Sequence, residues 1–264
     1  MKLTKPYIRI FLFIVLTSSI VWACKKDNTT TPPVSDVDLK KGLLLYLPFD
    51  GNMADSSGNG NTTSVVGGAT LTYDEHGYAS SAYGATGSGQ KLIVTNNGSI
   101  KFDTAYSVSL NFMIRSFRTQ TFLSMVNEAT GYGPTFALGT HIPGSTHFNF
   151  TSNDSTESCN YFGSETPQQA ADLTPFEPQV ESWYNAVCIY HKGSVTVYIN
   201  GKLINTVSST GTKALLCPNA QIVVGGWWSQ DPLSIDGKLD EIRMYNRVLN
   251  ADEIAELAKD FQNN

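Results

Sequence analysis

Hydrophobic and polar residues alternate along much of this chain, which is the pattern of β-strands with one face on a core. From Ser107 to Arg115, the apolar residues Val108, Leu110, Phe112 and Ile114 stand at every second position. Because successive side chains of a strand point to opposite faces, this period predicts a half-buried strand. Shorter strands are predicted at Leu43–Leu47, Lys91–Val94, Thr121–Val126, Thr135–Thr140, His147–Thr151, Gln221–Val224 and Leu239–Tyr245.

Two tight turns join three further strands. Val195–Ile199 alternates in the same way and is followed by Asn200-Gly201, a pair that favours the two positive φ angles of a type I′ turn. Lys202–Val207 is therefore predicted to return as its hairpin partner. Trp183–Tyr190 is a further strand, which a turn at residues 192–194 joins to Val195. Trp183 itself is predicted to lie in the core.

A different period marks the C-terminus. Ile254, Leu257, Ala258 and Phe261 form an apolar stripe at helical spacing, and Asn250 with a glutamate three residues later forms a capping box. With 22 glycines, 16% charged residues and many short strands, the chain is predicted to be all-β. We expect a two-sheet antiparallel jelly-roll β-sandwich with one short C-terminal helix.

The N-terminus has the composition of a secretory signal. Three basic residues precede a short apolar run from Ile10 to Val21, which is too short to span a bilayer. The run ends in Val21-Trp-Ala-Cys24, which resembles the lipobox of bacterial lipoproteins despite the bulky Trp22. We expect residues 1–23 to be a lipoprotein signal peptide and Cys24 to be lipidated. A plain signal peptide or an anchor is the alternative.

Residues 24–41 hold threonines, prolines and few large hydrophobic residues, so they are predicted to form a flexible tether before a domain at 42–264. Cleavage after residue 23 leaves 15 basic and 23 acidic residues, a net charge of −8. This charge argues against nucleic acid as a partner. The expected protein is a monomeric outer membrane lipoprotein that faces the periplasm or lies at the cell surface, held to the membrane by the lipid on Cys24.

Three cysteines remain after Cys24. Cys188 falls in a strand-like run and is expected to be a buried thiol. Cys159 and Cys217 are then candidates for a loop disulfide, since the compartment is oxidising. The sequence alone leaves this pairing open.

Four stretches carry a resemblance to a known family. They are Leu45–Asn52 followed by Asp55–Gly60, Ser107–Phe112, Trp183 through Asn200-Gly201, and Gly237–Leu249. In this order they resemble the laminin-G-like, concanavalin A-like lectin/glucanase domains of secreted bacterial proteins. The resemblance implies a jelly roll whose first and last strands are neighbours, which would bring Asp50 close to Asp240. The fold hosts lectins, glycosidases, adhesins and spacers, so it does not specify function.

Oxygen-bearing side chains at this seam predict a structural calcium ion. Ca²⁺ takes six to eight oxygen ligands, and Asp50, Asn52, Asp55 and Asp240 could supply them together with main-chain carbonyls. The resemblance points the same way, since relatives often hold a structural ion where the chain ends meet. The alternative is turn chemistry, in which Asp and Asn side chains bond their own backbone.

Aromatic loop residues are the candidate glycan site. Trp227, Trp228 and Asp231 lie in one predicted loop, and Tyr132 lies between two glycines. The apolar face of a pyranose stacks on a flat ring, while its hydroxyls need polar partners. The alternative is that one of the two tryptophans covers the end of the core.

Catalytic patterns are weak. The paired carboxylates of glycosidases in this superfamily have no counterpart, and Asp240 and Glu241, as neighbours on a strand, are expected to face opposite sides. The sequence therefore favours a non-catalytic carbohydrate-binding surface lipoprotein. The alternatives are a protein-interaction or adhesion module on the same fold and an unrecognised glycoside hydrolase or lyase.

Overall fold

Two antiparallel sheets contain nearly all the regular structure in the computed structural model, which describes residues 37–140, 146–160, 175–208, 211–231 and 234–261. The strands are β1 (Leu43–Leu47), β2 (Thr62–Val66), β3 (Thr70–Thr72), β4 (Ala82–Thr86), β5 (Lys91–Thr95), β6 (Ala105–Ile114), β7 (Gln120–Asn127), β8 (Phe136–Thr140), β9 (Asn149–Ser152), β10 (Trp183–His191), β11 (Ser194–Ile199), β12 (Lys202–Ser208), β13 (Ala220–Val224) and β14 (Asp236–Tyr245). Helix α1 spans Ala251–Leu257, and a single 3₁₀ turn follows at Lys259–Phe261.

The larger sheet has the order β12-β11-β10-β6-β14-β4-β3, and the smaller has the order β2-β5-β13-β7-β8-β9. Strand β14 pairs with β6 along one side. On its other side, β4 pairs with residues 236–239 and β1 with residues 242–245. The first and last strands are therefore neighbours, as the sequence resemblance implied.

The main core lies between the two sheets. The inward residues of β6, such as Leu110 and Phe112, meet aromatic residues of the smaller sheet; the ring centroids of Phe112 and Phe122 on β7 are 5.0 Å apart. The outward residues of the larger sheet contact other elements. Val187 and Ile189 pack against Ile254 of α1, so the helix covers part of that outer face.

The predicted fold class is confirmed, and the predicted strands lie within a few residues of the observed ones. Asn200 and Gly201 have φ angles of 50° and 74°, and Asn250 and Glu253 form both hydrogen bonds of the capping box. Strands β2, β3 and β4 were not predicted, because they are rich in threonine and small residues and have no clear apolar alternation.

The prediction for Trp183 is wrong. Its register places it opposite Met113 on the outer face of the larger sheet, where it is half-buried. The ammonium of Lys238 lies 5.9 Å from its ring centroid.

Cysteine pairing follows the expectation from sequence. Cys159 and Cys217 form a disulfide, and Cys188 is a buried free thiol. Burial raises the pKa of the Cys188 thiol well above its ordinary value.

A cluster around Arg247 ties the two ends of the domain together. Its guanidinium donates to both carboxylate oxygens of Glu253 on α1, at 2.6 and 2.7 Å, and to the carbonyls of Asp38 and Lys41. The segment before β1 is therefore fixed to the C-terminal helix.

The predicted signal peptide, Cys24 and most of the predicted tether lie outside the described residues. Among the described residues, no helix has the length and apolar character needed to cross a membrane.

Candidate functional site

A row of buried polar residues crosses the outer face of the larger sheet. Asn185 on β10 pairs in register with Asn111 on β6, which pairs with Asp240 on β14. All three face away from the main core, and each is at most 4% exposed. The Asn185 amide donates to Asn111 Oδ1 at 2.9 Å.

A β-bulge interrupts β14 next to this row. The register against β6 shifts between Asp240 and Arg243, and Glu241 has a φ angle of +51°. The bulge lies where the neighbour of β14 changes from β4 to β1. Because alternation fails at a bulge, Asp240 and Glu241 line the same cavity, and the prediction that they face opposite sides is wrong.

The turn between β3 and β4 brings two more carboxylates to this row. Asp74 fixes the turn by accepting from the backbone N–H groups of His76 and Tyr78 at 2.9 and 2.7 Å. Glu75 Oε1 accepts from the Asn111 amide at 2.8 Å. As a result, Asp74, Glu75 and Asp240 each place one oxygen within 4.8 Å of the others.

These carboxylates crowd negative charge in a poorly solvated place. Burial, and then the negative charge of Glu75, raises the pKa of Asp240 to about 9, although the Glu241 N–H donates to its carboxylate. A side-chain hydrogen bond with Glu75 also raises this pKa. Glu75 Oε2 is buried and accepts from no N–H or alcohol group of the described residues. Like charges close together favour the neutral form of one of them unless a cation is present.

Arg243 and Lys259 also line the cavity, and each pairs with a further carboxylate of its lining. Arg243 pairs with Glu241, and Lys259 Nζ lies 2.7 Å from Glu256 Oε1. The cavity has a volume of about 310 Å³. Three carboxylate oxygens that lie close together at one cavity fit a hard divalent cation such as Ca²⁺.

The structure separates the four residues predicted as metal ligands. Asp50 lines the cavity together with Asp240, whereas Asn52 and Asp55 do not line it. Asp55 accepts from the backbone N–H groups of Tyr46 and Ser57 and from two side chains. Asn52 Oδ1 accepts from the Ala54 N–H at 2.8 Å. Both residues have the local hydrogen bonds expected of turn chemistry.

Sequence reasoning missed Asp74 and Glu75. The available signal was a pair of adjacent acidic residues followed closely by Gly77. Nothing local indicates that this turn folds over Asn111, since the contact spans 36 positions.

A second candidate site lies on the smaller sheet, where two loops meet. We call residues 225–231 the tryptophan loop and residues 127–133 the tyrosine turn. The Trp227 indole N–H donates to the Gly131 carbonyl at 3.2 Å, and Ser229 donates through both its backbone N–H and its hydroxyl to the Glu128 carbonyl at 2.8 Å. These bonds hold the two loops side by side.

The tryptophan loop is also anchored on the sheet. Trp228 packs against an apolar cluster of Ile93, Val126 and Val223 on the outer face. The Trp227 carbonyl accepts from the Ser124 hydroxyl at 2.7 Å, and the backbone N–H of Trp227 donates to the Asp231 carboxylate at 3.3 Å. Both tryptophans are half-buried.

Tyr132 is the most exposed ring of this region, at 43%. It lies between Gly131 and Gly133, which have φ angles of 74° and 61°. A Cβ atom on Gly133 would lie 2.8 Å from Cys217 Sγ and 2.8 Å from the Cys159 carbonyl oxygen. The disulfide therefore supports one side of the tyrosine turn and Trp227 the other. The structure brings together all four residues predicted for the glycan site.

Comparison with protein families assigns the domain. A family model described as the concanavalin A-like lectin/glucanases superfamily matches residues 86–255. The chain belongs to this superfamily. A search of curated proteins found no match.

Solved structures of this fold include binding domains of larger proteins. Domain 4 of AbnA, a GH43 extracellular arabinanase from Geobacillus stearothermophilus, in complex with arabinotriose, is similar with a TM-score of 0.58 and 21% identity, covering 82% of this chain and 98% of that chain. The binding domain of botulinum neurotoxin DC in complex with SialylT has a TM-score of 0.58 and 18% identity, covering 84% and 52%. A complex of that toxin domain with rat synaptotagmin II has a TM-score of 0.57 and 18% identity, covering 84% and 52%. The chain thus spans about half of the toxin domains, and these identities show a shared fold alone.

Proposed function

We propose that this protein is a non-catalytic glycan-binding lipoprotein. The observation that carries the proposal is the hydrogen bond from the Trp227 indole to the Gly131 carbonyl, which holds the tryptophan loop beside the tyrosine turn. A sugar would stack on Tyr132 and the accessible parts of the two indoles. The Asp231 carboxylate would accept hydrogen bonds from its hydroxyls.

Solved relatives support the class of ligand. Arabinotriose is bound by one similar domain, and a second was solved in complex with SialylT. Glu128 and Asp231 are the ionisable side chains of the two loops apart from Tyr132, and both are acidic. We therefore propose a neutral glycan, since an acidic sugar would meet repulsion there.

The test is an array of immobilised oligosaccharides that includes arabinotriose and acidic sugars. Trp227→Ala and Tyr132→Ala should each weaken binding to the recognised neutral glycans by about tenfold, as expected for loss of roughly 1.4 kcal/mol of stacking. Tyr78→Ala is the matched control, because Tyr78 is 67% exposed on a different turn. An array with no signal for the wild type would reject glycan binding.

A protein-binding module is a second candidate. A similar domain binds the protein synaptotagmin II, and exposed aromatic rings also serve as anchors in protein interfaces. An array without signal, together with loss of a protein partner in Trp227→Ala, would favour this function. Release of reducing ends from a polysaccharide by the wild type would instead show a glycoside hydrolase.

We also propose that Ca²⁺ binds between Asp74, Glu75 and Asp240, with Asp50 at the same cavity. When bound, the ion supplies electrostatic cross-linking and no chemistry: it relieves carboxylate repulsion and attaches the turn before β4 to the bulge in β14. At a free calcium concentration of about 100 times the dissociation constant, the free energy of unfolding should rise by about 2.7 kcal/mol.

Thermal unfolding in calcium and in chelator measures this effect, which should be roughly 5–10 °C for a domain of this size. Asp240→Asn should remove most of the calcium-dependent shift. Asp103→Asn is the control, since Asp103 makes an exposed ion pair with Lys213. Equal calcium shifts in wild type and Asp240→Asn would contradict the assignment.

The anchor is likewise a proposal. We infer that Cys24 carries a lipid that holds the tether and domain on an outer membrane, facing the periplasm or the outside. Mass spectrometry of the mature N-terminus tests this directly, and an unmodified Cys24, or an N-terminus other than Cys24, would refute it.

A further inference from the structure

A buried lysine lies beneath the tryptophan loop. Lys91 is the first residue of β5, and because Leu92 and Val94 face the main core, it shares the outer face of the smaller sheet with Ile93. It is 1% exposed. Sequence reasoning placed it at the start of a strand and assigned it no role.

The Lys91 ammonium group binds two backbone carbonyls near the end of the tryptophan loop and one in the turn before β5. Nζ donates to the carbonyl of Asp231 at 2.5 Å and that of Ser229 at 3.4 Å, and to Gly89 at 3.2 Å. Its side-chain stem passes under Gly226, where an added Cβ would lie 2.6 Å from Lys91 Cε. The side chain therefore runs along the underside of the loop from Gly226 to Asp231.

Burial of this charge needs a reason. Desolvation lowers the pKa of Lys91, an effect that the negative charge of Asp231 opposes. An apolar side chain of similar length would avoid the cost of burying a charge, but it would leave two loop carbonyls without this donor. Hydrogen bonds from a charged donor are stronger than neutral ones, so this lysine can hold a short loop in one conformation.

We propose that Lys91 is the positioning residue of the glycan site: by binding the carbonyls of Ser229 and Asp231, it fixes the tryptophan loop so that Trp227 and Trp228 are presented before a ligand arrives. The part that concerns the ligand rests on the proposed glycan function. The part that concerns the loop does not. A rigid loop loses less entropy on binding, and this increases affinity without a new contact.

The experiment compares wild type, Lys91→Met and the control Lys101→Met, in which an exposed lysine is replaced. Hydrogen exchange of peptides that cover 225–231 reports on the loop without any ligand. In Lys91→Met these amides should exchange at least tenfold faster, and acrylamide should quench tryptophan fluorescence more strongly. Peptides from β6 and β10 should exchange as in the wild type, which separates a loop effect from general destabilisation.

Affinity for immobilised arabinotriose, or for whichever neutral oligosaccharide the wild type binds, should fall about tenfold in Lys91→Met and stay unchanged in Lys101→Met. If Lys91→Met does not fold, Gly226→Ala replaces it, because the added methyl group displaces the lysine stem from above. Unchanged loop exchange in the folded variant would overturn the proposal. Faster exchange with unchanged glycan affinity would overturn it as well. A wild type that binds no glycan rejects the proposed function, while the exchange data still decide the role of Lys91 in the loop.

Discussion

The outer faces of the two sheets carry two sites of opposite character. At the acidic cavity, burial and the negative charge of Glu75 raise the pKa of Asp240 to about 9. On the smaller sheet, a hydrogen bond from Ser124 of β7 fixes the tryptophan loop, and hydrogen bonds from Trp227 and Ser229 join this loop to the tyrosine turn. The first site crowds several carboxylates in a poorly solvated cavity, whereas hydrogen bonds already hold the second site in a form that exposes an aromatic ring.

This difference separates two ways in which a fold prepares for a ligand. An array of crowded carboxylates is stabilised by the ion that it binds, so binding and stability are linked. A surface that is already hydrogen-bonded gains little stability from its ligand and serves recognition through preorganisation. We therefore expect calcium to affect mainly the stability of the domain and the tryptophan loop to affect mainly recognition.

Loss of the disulfide should have the largest effect. The bond closes a sequence separation of 58 residues, so replacing Cys159 and Cys217 by serine should reduce the free energy of unfolding by about 4 kcal/mol. Because Gly133 packs on this bond, its loss should also loosen the turn that carries Tyr132. Affinity for the glycan should therefore fall. Denaturant unfolding measures the loss of stability, and calorimetric titration measures the affinity for calcium. If calcium affinity fell as much as glycan affinity, the two sites would not be independent.

The acidic cavity should give the protein an unusual pH dependence in chelator. An unfolded aspartate has a pKa of about 3.9, and the folded pKa of Asp240 is raised to about 9. The folded state therefore holds an extra proton between these values. Its stabilising contribution is complete below about pH 4 and is lost as the pH rises toward 9.

Asp240→Asn should make the free energy of unfolding depend less on pH. Near pH 8 in chelator, the variant should be more stable than the wild type by about 1 kcal/mol or more, since one pKa unit corresponds to about 1.4 kcal/mol. Thermal unfolding across pH 5–9 measures the difference. Calcium should reverse the order of the two proteins. If the stability of wild type and Asp240→Asn changed with pH in the same way, carboxylate repulsion in the cavity would not destabilise the protein.

The smallest effect is expected at Asn52. Its side chain makes an exposed bond to the Ala54 N–H and does not line the cavity. Asn52→Ala should therefore change the free energy of unfolding by about 0.5 kcal/mol and leave calcium and glycan affinity unchanged. Calorimetric titration with CaCl₂ checks this, and a clear loss of calcium affinity would return Asn52 to the ligand set predicted from sequence.

Several features could be predicted because their signals are local. The alternation in β6, the Asn200-Gly201 turn and the Asn250–Glu253 capping box depend on residues a few positions apart, and the structure contains all three. The candidate glycan residues also came from nearby positions, apart from Tyr132. The weakly patterned strand β4 and the outward position of Trp183 could not be predicted, because packing and register decided them.

The sequence by itself determined the class of fold, the strands with clear periodicity and the aromatic loop that carries the candidate glycan site. The tertiary structure decided the acidic cavity, since pairing of β6 with β14 places Asn111 beside Asp240, and the bulge at Glu241 turns a second carboxylate toward the same space. It also decided the role of Lys91, whose partners lie about 140 residues away. Local preferences act within a few residues, whereas charge repulsion and hydrogen bonding between distant segments exist only after the strands have paired.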